Sequence, residues 1–164
     1  MTKLIVGLGN PLRLYRNTRH NIGRIIVEEM AKLYRIKLKK DKELLCALGE
    51  GRFKEVDFIL AYPLVFMNLS GESVSKLVDK FKIKHQDLLV VYDDLDLNLG
   101  TLKIKPQGGD GGHKGMRSII ESLKSNRFCR LRIGIGRPHS KERISDFVLS
   151  KFNREESGII KEAR

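Results

Sequence analysis

Five polar side chains stand where a small domain can do chemistry: Asn10, His20, Asn68, Asp93 and His113. Four of them lie at or just beyond the end of an apolar run or in a glycine-rich turn, and His20 follows a polar loop at the start of a helix. Their types suit hydrolysis without a covalent intermediate. A neutral imidazole can take a proton from water as general base, typically worth about 10²–10⁴ in rate. A carboxylate bonded to the other ring nitrogen fixes the tautomer and stabilises the cation that forms. Carboxamide N–H groups can hold a carbonyl oxygen as it becomes anionic. Taken singly such residues are more often structural, since an Asn after a glycine turn is commonly a turn residue. The chemistry depends on whether folding gathers them.

The elements that would gather them can be read along the chain. Residues 4–23, LIVGLGNPLRLYRNTRHNIG, are a strand, a glycine turn with Asn10, a polar loop and the start of a helix at His20–Asn21. Apolar residues at 22, 25, 26, 30 and 33 share one helix face. The run 37–42, KLKKDK, reads as a basic, solvated connector. Residues 44–53 and 56–61 read as two strands joined by a short turn, with Tyr62–Pro63 breaking the second. Met67 and Asn68 fall in a loop before Ser70, which can cap a helix carrying Val74, Leu77, Val78 and Phe81 toward the core. Residues 88–92 form a continuous apolar run, the pattern of a central strand, ending at Asp93, Asp94 and Asp96. Residues 102–105 alternate, with Lys103 and Lys105 on one face. Residues 108–115, GGDGGHKG, open a further helix, and 130–135, RLRIGI, form another strand. Residues 140–152 read as a short helical connection, and Asn153 caps a last helical segment. Strands alternating with helices indicate a single three-layer α/β/α domain over residues 1–164. The short connection near 44–61 makes its twisted sheet mixed, mostly parallel. In such a sheet, polar groups at strand ends converge in one crevice.

Several common sites are excluded by their own spacing. GLGNPL has Leu12 where a dinucleotide turn needs its third glycine. GGDGGHKG lacks the Gly-Lys-Ser/Thr order of a phosphate-cradling Walker loop. Residues 71–75 miss the nucleophile elbow at their last position. Histidines 20, 85, 113 and 139 show no metal-ligand spacing. The Asp93, Asp94, Asp96 cluster could hold Mg²⁺, but the better reading has one of them working in the site while the others face solvent.

Composition bounds the rest. Thirty-two Lys+Arg against 20 Asp+Glu give a formal net charge of +12, a field that favours a polyanionic partner such as nucleic acid. No apolar run approaches the ~20 residues of a membrane span. No stretch resembles a signal peptide, so the expected location is cytoplasmic. Cys46 and Cys129 lie far apart without a CxxC partner, which points to core or edge residues rather than a zinc site or disulfide.

Together the motifs VGLGNP, TRHN, FMNLSG, YDDLDL and GGDGGHKG, in this order over nearly the whole chain, closely resemble bacterial peptidyl-tRNA hydrolase. The resemblance implies a monomeric α/β enzyme that cleaves the ester between a peptide and the tRNA 3′ end, recycling tRNA released prematurely from ribosomes, without metal or cofactor. It implies His20 as the base, Asp93 as its orienter, and Asn10 and Asn68 as the carboxamides that place and polarise the substrate carbonyl. Tyr15, Met67 and His113 match residues lining the channel for the peptide and the 3′ end, and Lys105 and Arg132 match a grip on tRNA phosphate. Lys114, also on the substrate side, stands where the family usually has Asn, which implies altered affinity rather than lost activity. The family pattern also extends past Arg164, so the resemblance implies an incomplete C-terminal helix. The rival readings are a non-catalytic RNA-binding relative of the same fold, which need not keep base and orienter, and a peptide amidohydrolase, which leaves the +12 charge unexplained.

Overall fold

The computed structural model describes residues 2–138 and 143–163. Among these, seven strands form one sheet: β1 Thr2–Gly7, β2 Lys39–Asp41, β3 Cys46–Phe53, β4 Val56–Pro63, β5 Leu88–Asp94, β6 Leu102–Lys105 and β7 Cys129–Gly134. Their order is β2-β3-β4-β1-β5-β7-β6. The central strands β4, β1, β5 and β7 are parallel, and antiparallel strands flank them at both edges. This is the expected α/β/α architecture with a mixed sheet.

The alternation of β1 explains the layers. Leu4 and Val6 are fully buried in a cluster with Val74, Leu77 and Val78 of α2 (Ser70–Phe81) and Met116 and Ile119 of α3 (Lys114–Leu123). Ile5 points the other way, toward Val27 and Ala31 of α1 (Ile22–Leu33). On that same face, Ile22 and Ile26 of α1 cluster with Phe147 of α4 (Ile144–Val148) and Ile160 of α5 (Arg154–Ala163). Each fully buried Leu, Val or Ile contributes about 1.5–3 kcal/mol. Cys46 is buried and Cys129 half-buried, both free; burial pushes the Cys46 thiol up to about 11, so it stays an inert core residue.

Two glycines set α1 directly against the sheet. A Cβ on Gly7 would lie 2.2 Å from the Gly23 carbonyl oxygen, and one on Gly23 would lie 2.1 Å from that of Val91. The chain is stitched there by Leu8 N–H to the Val91 carbonyl (3.0 Å) and Arg24 N–H to the Leu8 carbonyl (3.0 Å). The residues just before α1 are thereby held over the carboxyl ends of β1 and β5. From β1 the chain leads toward β4, and from β5 toward β7 on the opposite side, so a crevice opens between those two strand ends.

Four local expectations are corrected. Residues 39–41 of the basic connector form edge strand β2, paired with β3. β4 continues through Tyr62 and Pro63 instead of breaking there; Pro63 ends the strand opposite Cys46, where a missing N–H interrupts little. Met67–Leu69 is a 3-10 turn rather than a loop. Ser70 is the first residue of α2, not its cap, and its hydroxyl donates back to the Met67 carbonyl at 2.7 Å. Of the connection read over 140–152, residues 144–148 are helical, while residues 140–142, and His139 before them, lie outside the described residues. Asn153 does cap α5: its Oδ1 accepts from Glu156 N–H (2.8 Å) and the Glu156 carboxylate accepts from Asn153 N–H (3.0 Å), a reciprocal capping box.

Candidate active site

Asp93, at the end of β5, is buried and lies between two imidazoles. His20 Nδ1 is 2.9 and 3.0 Å from its two carboxylate oxygens, and His113 Nε2 is 2.9 Å from Oδ1. The two rings are 4.8 Å apart and tilted by 52°. His113 is fixed from both ends. As N-cap of α3, its Nδ1 accepts from Gly115 N–H (3.1 Å) and Met116 N–H (3.2 Å), which places its proton on Nε2, donating to Asp93. His20 likewise donates from Nδ1, leaving Nε2 with no hydrogen bond among the described residues. An imidazole oriented by a carboxylate and open at its other nitrogen lines the crevice.

The electrostatics follow from that geometry. Burial lowers the His20 pKa, but the Asp93 charge and hydrogen bond outweigh it and raise the pKa above its ordinary value; Lys114 pulls it back down. Burial alone would raise the Asp93 pKa, yet the charges and hydrogen bonds of His20 and His113 hold this carboxyl well below the usual range. His20, Asp93 and His113 are also the group of described residues whose ligand atoms come close enough for a metal, within 4.8 Å of one another. The hydrogen bonds to Asp93 occupy His20 Nδ1 and His113 Nε2, and the remaining nitrogen of His113 caps α3. The donor set fits a hydrogen-bonded relay better than a metal centre.

Asn10 is oriented as firmly as His20. Its Oδ1 accepts from Met67 N–H (3.0 Å), while its backbone N–H donates to Asn21 Oδ1 (2.8 Å) and its carbonyl accepts from Asn21 Nδ2 (3.0 Å). With its oxygen engaged, the amide presents its Nδ2 to the crevice, where it makes no hydrogen bond to the described residues. Asn68 is exposed on the same rim and its side chain is equally unengaged. The crevice, about 730 Å³, is lined by Asn10, Tyr15, His20, Met67, Asn68, Asp93, Lys105, His113, Lys114 and Arg132, so every candidate residue named from the sequence reaches one site.

A family model described as peptidyl-tRNA hydrolase matches residues 4–164. The chain belongs to the peptidyl-tRNA hydrolase family. The peptidyl-tRNA hydrolase of Hydrogenobaculum sp. is 47% identical over 161 residues, covering 98% of this chain and 84% of the relative. That of Bacillus subtilis is 42% identical over 160 residues, covering 98% and 85%. The crystal structure of peptidyl-tRNA hydrolase from Acinetobacter baumannii matches with a TM-score of 0.93 at 42% identity, over 98% of this chain and 82% of that one. At 7% identity and a TM-score of 0.55, 5′-methylthioadenosine nucleosidase from Arabidopsis thaliana shares the fold alone. The chain is thus a member of a hydrolase family.

In a member of the peptidyl-tRNA hydrolase family, the basic side of the crevice is as telling as the His20–Asp93 pair. Lys105 and Lys114 are exposed and make no ion pair among the described residues, whereas Arg132 is already paired with Asp94. Asp94 is therefore half-buried beneath Arg132 rather than facing solvent, and Asp96 pairs with Arg137 at the surface. Three residues of this site escape sequence reasoning. Asn21, fully buried, orients Asn10; its only signal is its place beside His20. Arg130, which the RLRIGI alternation leaves looking half-exposed, is 1% exposed. It donates to the carbonyls of Gly109 (2.7 Å) and Asn126 (2.9 Å), holding both ends of the segment that carries the glycine-rich loop and α3. The third, Arg19, precedes His20 in the chain and is buried against Phe147 and Phe152.

Proposed function

We propose that this protein hydrolyses the ester between a peptide and the 3′ end of tRNA, with His20 as general base on water. In this reading His20 Nε2 takes a proton from water as the water attacks the ester carbonyl. Asp93 holds the Nδ1–H tautomer and stabilises the imidazolium that forms. Asn10 Nδ2, with Asn68 beside it, donates to the carbonyl oxygen as charge develops there. The proton then passes to the leaving 3′ oxygen of tRNA. Tyr15 and Met67 shape the wall along which the peptide lies, while His113 acts through Asp93, since both its ring nitrogens are engaged. Lys105 and Lys114 meet tRNA phosphate, and Arg132 does so while tethered to Asp94. One domain, working as a cytoplasmic monomer without a metal or cofactor, suffices for this scheme. No helix among the described residues is long and apolar enough to cross a membrane.

The observation that carries the proposal is the His20–Asp93 pair, which leaves Nε2 open to the same crevice that Asn10 Nδ2 faces. Single-turnover hydrolysis of purified peptidyl-tRNA tests it, intact protein beside His20→Ala. Release of free tRNA by the intact protein, largely lost in the variant, supports the reading. Tight tRNA binding with no release by the intact protein refutes catalysis and leaves an RNA-binding relative.

A further inference from the structure

We propose that Arg19 is a positioning residue for the base, through which α4 and the capping box of α5 hold His20 against Asp93. This rests on His20 being the base. His20 sits on a single 3-10 turn, Arg19–Asn21, a conformation with poorer hydrogen-bond geometry than an α-helix, which needs support from its surroundings. Asn21 fastens one side of the turn to Asn10. The other side is fastened by Arg19, which is buried although it carries a full charge.

Each nitrogen of that guanidinium has a partner. Nη1 and Nη2 form a bidentate pair with the Glu156 carboxylate at 2.7 and 2.9 Å, and Nε donates to Ser150 Oγ at 2.9 Å. The guanidinium lies 4.4 Å from the ring centroid of Phe147 and 5.1 Å from that of Phe152. Its backbone N–H donates to the Ser150 carbonyl at 3.0 Å, and Thr18 bridges Lys151 in antiparallel fashion. Glu156 is the residue that closes the capping box with Asn153, so the start of α5 and the turn beneath His20 share one carboxylate. The turn is clamped between Asn10 and the C-terminal strap, with the imidazole projecting from its middle. Among the described residues, the ionisable groups around that imidazole are Asp93 from β5 and His113 and Lys114 from the start of α3. Arg19 makes no hydrogen bond or ion pair to any of them and acts only through the backbone it holds.

Glu156→Gln separates this role from general stability, because Gln at the third helical position still completes a capping box while the charge that pairs Arg19 is gone. Arg19→Lys keeps a cation but loses the fork. Both variants, their double mutant and His20→Ala are compared in single-turnover hydrolysis of peptidyl-tRNA across pH, with folding followed by circular dichroism. Small misplacement of a catalytic group costs up to about a hundredfold, so about a tenfold or larger loss of kcat is expected in each single variant, with KM changed less than about twofold. The midpoint of the pH–rate profile moves downward, because an imidazole held less closely by Asp93 loses the partner that raises its pKa. The double mutant falls no further than the worse single, as expected for one shared interaction. Folded variants with a lower melting temperature but unchanged kcat and midpoint would overturn the proposal and leave a purely structural ion pair. An active His20→Ala would instead remove the base assignment on which it stands.

Discussion

The floor of the crevice and its rim follow opposite rules. On the floor, His20, Asp93, His113, Asn10 and Asn21 are buried or nearly so and are held by one another or by backbone amides. On the rim, Lys105 and Lys114 are exposed and make no hydrogen bond or ion pair to any described residue. A group that must meet developing charge at a fixed point works only if its orientation is set before the substrate arrives. A group that meets a polyanion works through a field that extends about 10 Å in ordinary salt and tolerates a mobile side chain. Floor substitutions should therefore act on kcat and its pH dependence, and rim substitutions on KM and its salt dependence.

The largest effect is expected at His20. His20→Ala should lower kcat by about 10²–10⁴ while KM and tRNA binding change little, read from single-turnover rates beside filter binding. A comparable rise in KM would erase the distinction between floor and rim. Asp93→Asn follows. Loss of the tautomer lock should cost about 10²-fold or more in kcat. With the carboxylate gone, burial dominates the His20 pKa, so the pH midpoint should fall. The same substitution changes stability in a predictable direction. Because the folded-state pKa of Asp93 is depressed, its carboxylate contributes stability above the ordinary Asp pKa that is lost as pH falls through the folded value. His20, whose pKa is raised, contributes stability below the ordinary His pKa that is lost as pH rises through the folded value. Both dependences should flatten in Asp93→Asn, measured as melting temperature against pH.

How far the sequence reveals this site depends on whether a residue's role is local. Asn10 and Asp93 follow apolar runs, and a parallel sheet brings such ends together, so their meeting in one crevice could be expected from pattern. His113 could be assigned to the site but not to its task, because no pattern tells that an imidazole nitrogen will cap α3 and turn the other toward Asp93. Arg130 misleads because periodicity marks which face a side chain takes, not what later covers that face; here Phe128 and the backbone of residues 109 and 126 enclose it. β2 carries only Lys39, Lys40 and Asp41, too short and too polar to show a strand period, and exists because β3 offers it an edge. Arg19 is the hardest to read: its partners lie some 130 residues away along the chain.

On the rim, Lys105→Ala should raise KM for peptidyl-tRNA with a much smaller effect on kcat. The slope of log KM against log salt should fall by about one, the signature of one lost phosphate contact. Arg132→Ala should do less for affinity per charge removed, because its guanidinium already has Asp94 as a partner and frees that carboxylate when it is deleted. Equal effects of the two would mean that the Asp94 pair opens when tRNA binds.

The smallest expected effect is the most discriminating, because Lys114 belongs to the rim by exposure and to the floor by electrostatics. Its ammonium is near enough to His20 to oppose protonation of the imidazole, countering part of what Asp93 does. Lys114→Asn should therefore raise the pH midpoint of kcat, leaving more of the base protonated near neutrality, while the rate at high pH stays close to that of the intact protein. The shift should shrink as salt is added, since an exposed charge acts through screened solvent. It should also vanish in a His20→Ala background, where no imidazole remains to be tuned. KM should rise in the same variant through the lost phosphate-seeking charge. A changed KM with an unmoved midpoint would assign Lys114 wholly to the rim. A downward midpoint would mean that the substituted amide strengthens some other influence on His20, and the division between a fixed floor and a mobile rim would then have to be redrawn at this residue.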